Sequence, residues 1–146
     1  ATINAYTYPE EFAECDGSVE MTPGVYIGQQ ERKTFGLCYR TELGNDIQKE
    51  EYGYKLNLVW GATASPSERE YKTINDSPEA IEFSWDITTT PVEVEGYKPT
   101  ATMTIDSTKV NSTKLAALEK KLYGDTDVEP ELPLPSEVYE MLKEGA

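Results

Sequence analysis

"YGYKLNLVWGATA", Tyr52–Ala64, sets large apolar side chains two residues apart. Successive side chains of a strand point to opposite faces, so Tyr54, Leu56, Leu58 and Trp60 share one face. This is a strand with a core side, and its neighbours follow the same pattern. "NDSPEAIEFSWDITTTPVEV", Asn75–Val94, alternates Ile81, Phe83, Trp85 and Ile87 against Glu82, Ser84, Asp86 and Thr88, then runs into Thr88-Thr89-Thr90-Pro91. "ERKTFGLCYRTE" alternates Phe35, Leu37 and Tyr39 against Thr34, Gly36, Cys38 and Arg40, and "TATMTID" alternates Ala101, Met103 and Ile105 against Thr100, Thr102, Thr104 and Asp106. "TINAYTY", Thr2–Tyr8, is rich in strand-favouring residues.

The connections are legible too. "PEEFAECDGS" reads as a turn with one helical turn that Asp16-Gly17 ends, and Gly24 and Gly28 of "PGVYIG" read as turn glycines. "LGNDIQKEE" is polar, so the strands on either side are expected to form a hairpin with a long loop. Pro66 in "SPSERE" breaks the central pattern, a short extended piece is expected near Tyr71–Ile74, and "NDSP" and "GYKPT" turn the chain.

Two helices follow. "NSTKLAALEKKLYG" places Leu115, Leu118 and Leu122 at helical spacing, with Asn111 or Ser112 as cap, Lys120 and Lys121 in the last turn and Gly124 just beyond. Pro130, Pro133 and Pro135 forbid its continuation, and "PSEVYEMLKEG" offers Val138, Met141 and Leu142 on one side of a short helix. That last helix packs on the domain or reaches a neighbour. The expected fold is α+β and mainly antiparallel β: a β-sandwich or partly closed barrel with one packed α-helix and a short C-terminal helix, in a single domain over 1–146.

Composition narrows the function. The 146 residues are 27% charged and 38% hydrophobic, with ten Tyr, three Phe and two Trp, as in a folded, soluble chain. The net charge of −14 is concentrated at the ends, −5 over residues 1–20 and −6 over residues 125–146. Such a chain repels phosphate, which argues against tight DNA binding. No apolar run has the length of a membrane span. Cys15 and Cys38 are expected as free thiols rather than a disulfide framework.

Histidine is absent, which removes the commonest general base and metal ligand. No P-loop, dinucleotide fingerprint or CxxC pair occurs. Asp125, Asp127, Glu129 and Glu131 alternate in "GDTDVEPE", but without the glycine and closing glutamate of an EF-hand loop they read as a solvated linker. The sequon Asn111-Ser112-Thr113 reads as a helix cap. Tyr52, Tyr54, Trp60 and Trp85 are candidates for an aromatic platform binding sugars or single strands, although period-two placement favours core packing. These residues give no catalytic, cofactor-binding or metal-binding site and point to a non-enzymatic β-rich module.

Taken in order, "TYPEEFAECDGS", "GVYIGQQERKTFGLCYRT", "YGYKLNLVWGATASPSER", "NDSPEAIEFSWDITTTPV", "KPTATMTIDSTK", "KLAALEKKLYG" and "LPLPSEV" closely resemble the major tail proteins, or tail tube proteins, of long-tailed bacteriophages and related prophages. The resemblance runs from about Thr2 to about Glu144. It implies a structural virion subunit without enzymatic activity or cofactor, assembled in the bacterial host cytoplasm. Hexameric rings of such subunits stack into a tube, sheets line the bore, and DNA passes through without tight binding. The implied partners are further copies of the chain and the tape-measure, terminator and distal tail proteins, with no membrane. Family members extend further at the N-terminus, so a segment preceding Ala1 is expected to be missing. Another virion component (head decoration or tail terminator) and a carbohydrate-binding or adhesin module are the alternatives.

Overall fold

The structure is a computed structural model and describes residues 1–45, 49–66 and 81–143. The chain is α+β and mainly antiparallel β. Its strands are β1 (Thr2–Ala5), β2 (Val19–Thr22), β3 (Val25–Ile27), β4 (Phe35–Asn45), β5 (Lys49–Pro66), β6 (Phe83–Thr89) and β7 (Thr102–Asp106). Its helices are α1 (Ala13–Asp16), preceded by a 3₁₀ turn at Glu10–Phe12, α2 (Ser112–Tyr123) and α3 (Pro135–Leu142). The extended piece expected near Tyr71–Ile74 and the turn at Asn75–Pro78 lie outside the described residues. The main sheet runs β1-β6-β5-β4, with β7 also paired to β5, and β2-β3 forms a separate two-stranded sheet. Two compact units share the chain: residues 1–35 with 62–89, and residues 36–61 with 90–146.

In the first unit β6 pairs antiparallel with β1, Ile3 opposite Trp85, and with the end of β5, Ala64 opposite Ile87. Trp85, Ile87, Ala62 and Ala64 are buried, and Ile3, Tyr8, Phe12, Phe35 and Phe83 close around them. The alternation of Phe83, Trp85 and Ile87 therefore marks the inward face, while Thr88, Thr89 and Thr90 are exposed. Ile81, expected with the inward set, is 40% exposed because it precedes the strand. β1 is shorter than expected: it ends at Ala5, and Tyr8 instead turns into the aromatic cluster.

In the second unit β5 pairs with β7, Leu56 opposite Ile105 and Leu58 opposite Met103. Leu56, Leu58, Trp60 and Ile105 meet Leu115, Leu118 and Leu122 of α2 and Val138 of α3 in one buried cluster. Each such aliphatic side chain, fully buried, contributes about 1.5–3 kcal/mol. Both C-terminal helices pack here, which resolves where the last one goes. Asn111 is the α2 cap: its Oδ1 accepts from the N–H of Thr113 at 3.0 Å and of Lys114 at 3.2 Å. Gly61, φ 59°, lies in the left-handed region in mid-strand. A Cβ there would overlap the Thr90 carbonyl, whose own N–H donates to the Gly61 carbonyl at 2.9 Å.

One expectation is corrected, and the strand before it gains detail. Strand structure runs to Asn45 in β4 and resumes at Lys49 in β5, so most of "LGNDIQKEE" is ladder rather than loop. On β4, Phe35 closes on the first cluster, but farther along Tyr39 is 53% exposed and Cys38 is the residue that packs against the second. The reason is space. A Cβ at Gly36 would collide with Leu132, and the Cys38 thiol donates to the Tyr123 hydroxyl at 3.6 Å. Leu132 and α2 therefore lie close against this part of the strand.

Candidate functional site

The residues singled out for chemistry are mostly committed to the fold. Trp85 is 2% exposed, stands edge-on to Tyr8 and Phe12 with ring centroids 5.3 Å away in each case, and donates its indole N–H to Asp16 Oδ1 at 2.7 Å. Trp60 donates to the Pro133 carbonyl at 2.9 Å from an equally buried position. Both tryptophans face inward, which leaves an aromatic platform without its strongest members. Tyr54 is half-buried beneath the Arg40 guanidinium, 3.8 Å from the ring centre. Burial first, and then a hydrogen bond to the Glu119 carboxylate, push its phenol up to about 12. It stays protonated at neutral pH.

The acidic alternation after α2 does not converge. Asp125 pairs with Lys120 at 2.7 Å and accepts from the Thr126 N–H at 2.7 Å, while Glu131 pairs with Lys121 at 3.5 Å. Asp127 and Glu129 are exposed. Among the described residues no group of three or more Cys, Asp or Glu side chains is arranged to hold a metal ion. Cys15 and Cys38 are both free thiols; Cys15 is buried, which pushes its thiol up. No described helix is long and apolar enough to cross a membrane.

Unpartnered apolar surface is the remaining candidate, and it takes two forms. The first is the β2–β3 hairpin, which sequence reasoning missed by reading only turn glycines. Val19 pairs with Ile27, Glu20 with Tyr26 and Thr22 with Val25, with a register shift at Met21. Val19, Val25 and Ile27 therefore share one face, and Glu20 and Tyr26 the other. Every residue of both strands is exposed, Met21 by 68% and Val25 by 50%. Gly24, at φ 82°, makes the turn, where its N–H donates to Glu20 Oε1 at 2.8 Å. Pro23-Gly24 between two short alternating runs was the available signal. At the base, Gly17 ends α1 in the left-handed conformation, and Lys33 forms an ion pair with Glu14.

The second is a groove of about 860 Å³ in the other unit, between the Val94–Thr100 turn, Met103 of β7 and the exposed side of α3. Its walls are mostly apolar. Tyr97 and Tyr139 rise from opposite sides, 76% and 57% exposed, and Glu95, Lys98 and Glu140 supply the charge. α3 on its wall starts at Pro135, whose ring suits the first helical turn, and Glu137 accepts from the Leu134 N–H at 2.8 Å.

No family model, curated protein or solved structure matches the chain.

Proposed function

We propose that the chain is a structural subunit of a siphophage tail tube. Copies close into rings, rings stack, and DNA passes down the bore. The ordered set of motifs from Thr2 to Glu144 supplies the identity of the assembly. The observation that carries self-assembly is the β2–β3 hairpin. A lone two-stranded hairpin is marginal in water, and this one leaves Val19, Val25 and Ile27 without a second layer. A surface of that kind is explained by a partner that covers it.

Two further features support the reading. β4 spans eleven residues at the end of the sheet order, with no strand beyond it among the described residues. Such an edge is a template for strand pairing between copies. Moreover, a net charge of −14 keeps a conduit from holding the phosphates that pass through it.

Negative-stain electron microscopy of the purified protein tests the reading. Rings or tubes of uniform bore are expected. A strict monomer at high concentration sinks it.

A further inference from the structure

We draw no further inference here: the strongest candidate, the apolar groove between the Val94–Thr100 turn, Met103 of β7 and α3, carries nothing because nothing in the structure shows what covers it, Glu140 being paired with Lys143 and Glu95 set against Lys98.

Discussion

Replacing Trp85 by Phe probes the joint that ties the base of the hairpin to the core of the first unit. The indole N–H of Trp85 donates at 2.7 Å to Asp16, a mostly buried carboxylate one residue before the left-handed Gly17. Phe retains a ring but loses the donor. A hydrogen bond to a charged group is worth about 1.5–3 kcal/mol. The smaller ring also gives up part of the edge-on packing against Tyr8 and Phe12, where each aromatic pair contributes about 0.5–1.5 kcal/mol beyond its area. Trp85→Phe should therefore cost about 3 kcal/mol, lowering the melting temperature by about 6–12 °C for a chain of this size. Urea denaturation followed by circular dichroism measures it, with the m-value unchanged. A double-mutant cycle with Asp16→Asn should return a coupling of about 1–2 kcal/mol. Coupling near zero, or a loss below about 1 kcal/mol for Trp85→Phe, would refute the claim that this bond anchors the arm.

Gly61→Ala should destabilise by about 2 kcal/mol or more, since the left-handed conformation alone costs a non-glycine residue about 1–2 kcal/mol and the Cβ would also press on the Thr90 carbonyl; a melting temperature equal to wild type would contradict that. Asn111→Ala should cost about 1 kcal/mol by removing the α2 cap, whereas Ser112→Ala should stay within about 0.5 kcal/mol in the same denaturation assay. Tyr54 has a folded-state pKa raised from 10.0 to about 12, so its contribution is fully present below pH 10 and lost as pH rises toward 12. The urea midpoint should fall over that window, and Tyr54→Phe should flatten the fall; absorbance titration at 295 nm placing every tyrosine near 10 would defeat this.

What was legible in the sequence followed from burial with a period. Leu56, Leu58 and Trp60 sit on one face of β5 because that face is covered along its length, and Leu115, Leu118 and Leu122 mark α2 for the same reason. Asn111 and Gly124 bound that helix through local backbone chemistry that needs no tertiary information. On β4 the alternation was legible but which positions lie deepest was not, because Leu132 and Tyr123 come to Gly36 and Cys38 from almost a hundred positions away. Tyr39, the largest side chain of that stretch, is exposed. The groove was illegible for a related reason: it needs Val94–Thr100 and α3 side by side, and no local pattern encodes that meeting.

The hairpin was hard to read because an apolar face with no cover inside the chain gives a short, weak period. Its surroundings bear on whether another molecule covers it. Glu20 accepts from the Gly24 N–H and Glu14 pairs with Lys33. Across the groove, Glu140 pairs with Lys143 and Glu137 accepts from the Leu134 N–H. Exposed pairs like these add little to folding, about 0–1 kcal/mol each. Their consequence is local: Glu14, Glu20, Glu137 and Glu140 beside the two apolar surfaces already have donors within the chain, so covering them strips less uncompensated charge of water. The proposed meeting of copies in a chain at −14 calls for such places, and these two are where many of the exposed apolar side chains of the described residues gather.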